Sequence, residues 1–197
     1  MKITFKEEGH KYYIDGFHAP ANSKILEAAG IVDYSKIPQS ILIPAQDFGK
    51  KVHKATELDD KGILNIATLD PKIVPYLMAW RAFRTRYNAL FHEIEKPCAS
   101  KKLWFATTPD RIATIWNDLA IVEIKTTFEM VASVAIQMAG QEIAYRETNK
   151  RGNKKIVRIA VLLKPDGNFT PTFYTDKNDI SVFKSAVIIH NYKGAKK

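Results

Sequence analysis

Three charged residues in one short stretch supply the side chains that metal-dependent phosphodiester cleavage requires. The stretch covers residues 107–127 and reads TTPDRIATIWNDLAIVEIKTT. Two carboxylates that converge can bind a hard cation, and a lysine beside them can approach the anion that the cation holds. Asp110, Glu123 and Lys125 are therefore candidate catalytic residues.

A β-hairpin would place these three side chains on one face. Two strand-like runs flank the pair Asn117-Asp118, which suits a two-residue turn. In that register residue i faces residue 235 − i, so Asp110 lies opposite Lys125. Because side chains alternate across a strand, all three candidate catalytic residues then project from the same side.

A solvated strand face with an ordinary Glu–Lys pair would show the same Glu-x-Lys spacing. The residues around Glu123 are strongly apolar, however: Ala120, Ile121, Val122 and Ile124. Such flanks indicate a central strand, where a charged side chain needs a functional reason.

A helix over about residues 44–60 carries a second candidate group. Gly49, His53 and Glu57 follow one another at intervals of four residues and form one stripe. Glycine inside a helix costs about 1 kcal/mol relative to alanine, so close approach by DNA or another backbone would explain Gly49. Taken alone, the pattern fits a partly exposed histidine on an amphipathic helix better than it fits a functional histidine. Phosphate contacts or plain surface charge would each account for the neighbouring Lys50, Lys51 and Lys54.

A later helix, predicted over 130–148, carries a polar stripe on an apolar background. Gln137, Gln141 and Tyr145 recur every four residues. Glutamine amides and a phenol can hold a nucleotide or orient the lysine. An ordinary polar helix edge fits the same spacing equally well.

The charge balance favours a polyanionic partner. The 197 residues include 30 basic and 21 acidic side chains, which gives a formal net charge of +9. Nucleic acid fits this surplus better than a membrane does, since no apolar run approaches the ~20 residues that a spanning helix needs. Cys98 is the single cysteine, which excludes an internal disulfide framework or a four-cysteine cluster and fits a reducing, cytoplasmic setting.

The remaining pattern predicts one α/β or α+β domain over 1–197, with residues 1–30 part of it as a hairpin and a short helix that Asn22 or Ser23 caps. Further elements are predicted as helices over 75–90 and 179–190 and strands over 93–99, 103–105, 155–163 and 169–175.

Together these motifs resemble the PD-(D/E)xK nuclease superfamily, and within it the RecB-like exonucleases that phages often encode. The pattern there is a G-x-x-x-H helix, a PD strand, a D/E-x-K strand and a Q-x-x-x-Y helix. This chain shows it at 49–53, 109–110, 123–125 and 141–145. HKYYIDGFHAPANSKILEAAG near the start and IEKPC ahead of the PD strand are similar too, so the resemblance covers nearly the whole chain.

The resemblance implies a restriction-endonuclease-like core, a mixed β-sheet flanked by helices with an N-terminal β-hairpin. It also implies Mg²⁺ or Mn²⁺ bound by Asp110, Glu123, His53 and the backbone carbonyl of Ile124, with Lys125 positioning or activating water. Glu95, on the preceding strand, and Glu57, on the histidine helix, are accessory acidic positions.

The glutamine motif has two registers in this sequence. The QxAGY form places Gln137 at the motif glutamine and Gln141 where tyrosine is expected. The alternative, Gln141 with Tyr145, keeps both residue types and is slightly preferred. ATTPD also stands where GTPD is usual, so the turn before Asp110 is expected to differ.

The expected function is a metal-dependent DNA exonuclease acting on single strands or duplex ends. Lys50, Lys51, Lys54 and Arg111 would contact the DNA backbone. Gln137, Gln141 and Tyr145 would contact the nucleotide, and the ring of Tyr145 could stack on a base. Resemblance alone implies a phage recombination role beside a single-strand annealing protein in the bacterial cytoplasm. The alternatives are a non-catalytic nucleic-acid-binding protein on a nuclease-like fold and a structure-specific endonuclease.

Overall fold

The computed structural model describes residues 1–195, in which runs of strands are separated by helices. The strands are β1 (Ile3–Lys6), β2 (Lys11–Ile14), β3 (Phe17–Ala19), β4 (Leu90–Ile94), β5 (Cys98–Ser100), β6 (Phe105–Thr107), β7 (Arg111–Ile115), β8 (Asp118–Lys125), β9 (Ile156–Leu163) and β10 (Phe169–Tyr174). The helices are α1 (Asn22–Ala29), α2 (Gln39–Asp60), α3 (Val74–Tyr87), α4 (Ser133–Thr148) and α5 (Asn178–Gly194), with a 3₁₀ turn at Ile66–Thr68.

A five-stranded sheet in the order β10-β9-β8-β7-β4 forms the centre of the fold. Its pairs are antiparallel except for β8 and β9, which run parallel. Parallel neighbours need a crossover connection, and α4 provides it between these two strands. The expected mixed sheet flanked by helices is therefore confirmed.

Alternation along β8 assigns its side chains to two separate cores. Ile121 belongs to the core that includes residues of α1, α4 and α5. Val122 and Ile124 belong to the core on the opposite face, with residues of α2 and α3. Glu123 lies between these two residues in sequence, so its side chain points to the α4 face.

The N-terminal hairpin is confirmed and extended by a third strand. β1, β2 and β3 form an antiparallel sheet that shares a small apolar core with Ala99 of β5 and Ala106 of β6. Pro20 accepts a hydrogen bond of 3.0 Å from Ala106 at its backbone carbonyl. The N-terminal sheet is thus packed against the segment that leads into Asp110.

The β7–β8 hairpin turns at Trp116-Asn117 and not at the predicted Asn117-Asp118. Both turn residues have positive φ, 51° and 69°, as a two-residue type I′ turn requires. Trp116 stacks on Phe173 at 5.5 Å, which compensates a conformation that tryptophan disfavours. Ile115 therefore pairs with Asp118, two residues away from the predicted register. A shift of two residues leaves every side chain on its predicted face.

Several element boundaries differ from the predictions. α2 begins at Gln39, five residues before the predicted start at residue 44. The predicted 93–99 strand is divided into β4 and β5, because Glu95 has φ 50° and ends the extended chain. Residue 103 lies in a turn ahead of β6.

The N-cap of α1 is Ala21, and not the predicted Asn22 or Ser23. Asn22 is instead buried, and its Nδ2 donates to the Gln137 carbonyl at 2.8 Å.

Across residues 1–195, we find no helix with both the length and the apolar content needed to span a membrane.

Candidate active site

Asp110 joins three elements at one buried carboxylate. It immediately precedes β7 and is 5% exposed. Its Oδ2 accepts a hydrogen bond of 2.6 Å from the backbone N–H of Ile124 in β8. Its Oδ1 lies 3.2 Å from Nδ1 of His53 on α2. The first carboxylate of the predicted motif is therefore fixed in direction by both a strand and a helix.

Packing of α2 against the chain after β8 brings His53 to this carboxylate. Val52 and Ala55 on either side of the histidine are buried in the core. Gly49, one turn earlier, faces Thr126, and a Cβ at Gly49 would lie 3.3 Å from Thr126 Oγ1. The close approach that the glycine indicated is therefore made by the chain itself, one residue beyond Lys125.

Glu95 completes a cluster with His53 and Asp110. One ligand atom from each of the three side chains lies within 4.8 Å of the others. The left-handed backbone of Glu95 lets its N–H donate to the Asp110 carbonyl at 3.0 Å. Two carboxylates and an imidazole are a donor set that suits Mg²⁺ or Mn²⁺, so these residues fit a divalent cation. Sequence reasoning gave Glu95 only an accessory place.

Electrostatics of the cluster favour exchange of protons for a cation. Burial alone would lower the pKa of His53, but the carboxylates of Asp110, Glu123 and Glu95 raise it to about 9. Burial and the charge of Asp110 raise the pKa of Glu95 to about 8. Burial opposes ionisation of Asp110, yet His53 holds the pKa of that carboxyl below its ordinary value. A bound cation would replace the protons that now balance this charge.

Arg111 supports the cluster from inside the protein. Its side chain is 0% exposed and its Nε donates to Asp60 Oδ2 at 2.7 Å. Nη1 donates to Glu95 Oε1 at 3.2 Å, and Nη2 to Thr56 Oγ1 at 3.3 Å. The expectation that Arg111 contacts DNA is wrong for this structure, because a fully buried guanidinium cannot reach a phosphate backbone.

Glu123 and Lys125 lie next to the cluster on β8, held by α4. Glu123 Oε1 accepts from Lys125 Nζ at 2.9 Å and from Gln137 Nε2 at 2.6 Å. Glu123 Oε2 accepts from Gln141 Nε2 at 2.7 Å. Lys125 Nζ also donates to Gln137 Oε1 at 2.9 Å. The structure thus brings together the predicted acidic pair, the lysine and both glutamines, while Glu123 stands outside the three-residue ligand cluster.

The charge of Lys125 is stabilised by its partners. Burial lowers the pKa of the lysine, but Glu123, through charge and a hydrogen bond, and Asp110 raise it above the ordinary value. Lys125 therefore presents an ammonium group at the end of β8, beside the ligand cluster.

The motif glutamines of both registers, Gln137 and Gln141, reach the site, but Tyr145 does not. Gln137 and Gln141 both contact Glu123, one helical turn apart. Tyr145 is 2% exposed and shares its surroundings with Glu93 and Arg151. The expected DNA contact of Tyr145 is therefore not retained, because its ring is packed inside the protein.

The lysines of α2 lie on the solvent side of the histidine helix. Lys50, Lys51 and Lys54 are all exposed. Lys54 Nζ pairs with Glu57 Oε2 at 2.9 Å, and Glu57 is also bound by Lys61. Glu57 is thus engaged by lysines and lies outside the ligand cluster, which corrects its expected accessory place.

Tyr12 and Thr108 form a support that sequence reasoning missed. The Tyr12 hydroxyl lies 2.9 Å from Thr108 Oγ1, two residues ahead of Asp110. Burial raises the pKa of the Tyr12 phenol to about 12, and Glu95 and Glu123 contribute to that rise. β2 of the N-terminal sheet thus reaches the turn before Asp110, where the chain reads ATTPD. No local signal connects residues 96 positions apart.

No family model matches this sequence, and no curated protein does so. Among solved structures, LHK-Exo in complex with dAMP is similar at a TM-score of 0.48 and 12% identity, over 90% of this chain and 89% of that chain. SSO0001 is similar at a TM-score of 0.40 and 14% identity, over 73% of this chain and 70% of that chain. Both TM-scores lie below 0.5, so the chemistry of the site is inferred from its own geometry.

Proposed function

We propose that the protein is a metal-dependent DNA exonuclease. The observation that carries the proposal is the convergence of His53, Glu95 and Asp110, whose ligand atoms lie within 4.8 Å of one another beside a buried glutamate–lysine pair. A cation site next to a fixed ammonium group suits attack on a phosphodiester, where negative charge develops on oxygen.

His53, Glu95 and Asp110 would hold the cation, Mg²⁺ or Mn²⁺. When bound, it supplies a Lewis acid that polarises the phosphate and lowers the pKa of a water. The resemblance also assigns Glu123 and the carbonyl of Ile124 to the metal. Within residues 1–195, Glu123 accepts three hydrogen bonds, and a carboxylate offers about four acceptor sites. It therefore retains capacity for one further partner.

In this proposal, the ammonium group of Lys125 supplies a fixed positive charge that stabilises the developing oxyanion. Its Nζ is held by Glu123 and by Gln137, each at 2.9 Å, so the ammonium is oriented before substrate arrives. A fixed donor in a largely buried site stabilises a developing oxyanion more strongly than one in water. Gln137 thus acts through Lys125 and orients it.

Exposed lysines and net charge favour DNA as the substrate. Lys50, Lys51 and Lys54 lie along α2 beside His53, and the chain carries a formal charge of +9. Contacts of this kind make affinity fall steeply with salt. Action on DNA ends, a phage-type recombination role in a bacterial cytoplasm and an annealing-protein partner rest on the sequence resemblance.

The experiment is degradation of end-labelled linear DNA, single- and double-stranded, with Mg²⁺, Mn²⁺ or EDTA. Wild type is expected to degrade the DNA only with metal, and Lys125→Ala is expected to be inactive. A covalently closed circle separates the two kinds of nuclease, because only an endonuclease cuts it. If wild type and Lys125→Ala both bind DNA and neither degrades it, the protein is a binding module.

A further inference from the structure

A groove of about 460 Å³ lies beside the first turn of α4. Its apolar walls include Ile31, Ile136 and the ring of Tyr174, and its polar edge includes Ser133 and Asp179. Ligand pockets in proteins occupy roughly 300–1,000 Å³ and combine apolar walls with a few polar groups. The groove is shallow and open to solvent, its volume lies within that range, and the cation cluster does not use it.

The groove lies one turn of α4 away from Gln137, the residue that holds Lys125. Ser133 on its edge and Gln137 are four residues apart on α4, so they share one helix face a single turn apart. Gln137 Oε1 is the acceptor for Lys125 Nζ at 2.9 Å. Burial raises the pKa of Tyr174, and the positive charge of Lys125 opposes that rise, which places the phenol within electrostatic reach of the lysine.

The lining suits a flat ring with a polar rim. Tyr174 is half-buried and lines the groove, while Ile31 and Ile136 provide aliphatic contact. Asp179 is held by Arg158 Nη1 at 3.0 Å and keeps acceptor sites for amino groups on a ring edge. Stacking of bases on aromatic side chains tolerates every sequence, because each base has a π face.

We propose that this groove binds the unpaired base of a nucleotide next to the phosphate that is cleaved. This inference rests on the proposed nuclease function. A base can enter the groove only after leaving its duplex partner, so the substrate is a single-stranded or frayed end. Duplex DNA with blunt ends is then a slower substrate than a single strand.

The test uses single-stranded oligonucleotides with one abasic site, placed at successive positions from the labelled end. In the wild type, an abasic site in the position that enters the groove is expected to slow cleavage there roughly tenfold. In Tyr174→Ala the same abasic site is expected to cause little further loss, because base and ring act together. Tyr174→Phe retains the ring and is expected to behave like wild type.

Two further variants separate occupation of the groove from damage to the fold. Ser133→Trp fills the groove without removing a core side chain and, like Tyr174→Ala, is expected to make cleavage insensitive to the abasic site. Phe17→Ala removes an aromatic ring that is 69% exposed on the N-terminal sheet and is expected to leave the abasic profile unchanged.

A wild type that cleaves every abasic oligonucleotide at the same rate overturns the groove inference and leaves the nuclease function in place. If the wild type cleaves nothing, the nuclease function fails. Fluorescence anisotropy of the same oligonucleotides in EDTA then measures the groove directly. Equal affinity of wild type and Tyr174→Ala for intact and abasic strands would refute base binding.

Discussion

Oδ2 of Asp110 accepts a hydrogen bond of 2.6 Å from the backbone N–H of Ile124, across the β7–β8 hairpin. The residue that follows the amide is Lys125, and the residue before it is Glu123. Movement of the Asp110 carboxylate is therefore coupled to the strand that carries both other members of the motif. His53 holds the second oxygen of Asp110, so the helix α2 joins the same assembly.

Glu95→Gln is expected to lower affinity for Mn²⁺ at least about 100-fold, because even changes to residues that only orient a ligand cost 10- to 100-fold. Isothermal titration with Mn²⁺ measures the change. Glu57→Gln is the matched control: it alters an acidic residue of α2 that pairs with Lys54 and Lys61 outside the cluster. Equal losses in the two variants would show that Glu95 is not a ligand.

Binding of Mn²⁺ is expected to release protons and to strengthen with pH. The pKa of His53 is about 9 and that of Glu95 about 8, so near neutral pH both groups carry a proton that the cation must displace. Affinity is therefore expected to rise between pH 7 and pH 9 and to level off above it. Titrations in buffers of different ionisation enthalpy count the released protons. A pH-independent affinity would contradict the protonated cluster.

The stability of the metal-free protein is expected to fall as pH rises from about 5 to about 9. The folded pKa of His53 lies above its ordinary value of 6.5, so the stability it contributes below pH 6.5 is lost through pH 9. Glu95 has a folded pKa of about 8 against 4.5, so the folded state also retains its proton longer. Both groups bind more protons in the folded state, which gives a negative slope. Urea unfolding at several pH values measures it, and Glu95→Gln should have a shallower slope.

Arg111→Met is expected to lower the free energy of unfolding by about 3–5 kcal/mol, since it leaves the Asp60 carboxylate buried without its main partner. Arg111 and Asp60 side chains are each 0% exposed in this pair. The double variant Arg111→Met/Asp60→Leu should recover part of the loss. Arg81→Met, on the partly exposed pair with Asp59, is expected to cost less than about 1 kcal/mol. Urea denaturation compares all three.

Gln137→Leu is expected to reduce kcat roughly tenfold while affinity for Mn²⁺ stays near that of wild type. The change removes the amide that holds both Lys125 and Glu123, and the cation cluster contains neither residue. Tyr145→Phe provides the comparison for the other motif register and should cleave DNA like wild type. A loss in Tyr145→Phe equal to that in Gln137→Leu would place the tyrosine in the site after all. Single-turnover cleavage rates decide between these outcomes.

The face of each motif side chain could be predicted from the sequence, although the register could not. Alternation of Ile121, Glu123 and Lys125 with Val122 and Ile124 follows from the two-residue period of a strand. The turn depended on a stacking contact between Trp116 and Phe173, which are far apart in sequence. Because the register shifted by an even number of residues, each side chain still lies on the face of the strand that the sequence predicted.

The positions of Arg111 and Tyr145 inside the protein could not be predicted from residue spacing, because they depend on which elements pack over these side chains. Arg111 and Tyr145 are residue types that serve on surfaces and in cores alike. Packing of α2 and α3 against the sheet buries the guanidinium beside Asp60, and packing of α4 buries the phenol. No local sequence pattern indicates which helix packs against these two side chains.

The sequence alone therefore determined the kinds of groups at the site and their order, because side-chain chemistry and strand alternation are local properties. It predicted Asp110, Glu123, Lys125 and His53 as candidate site residues. Only the tertiary structure decided that Glu95, and not Glu57, stands with His53 and Asp110. That choice depends on a left-handed backbone at Glu95 and on a buried arginine that reaches it from β7. Both result from long-range packing.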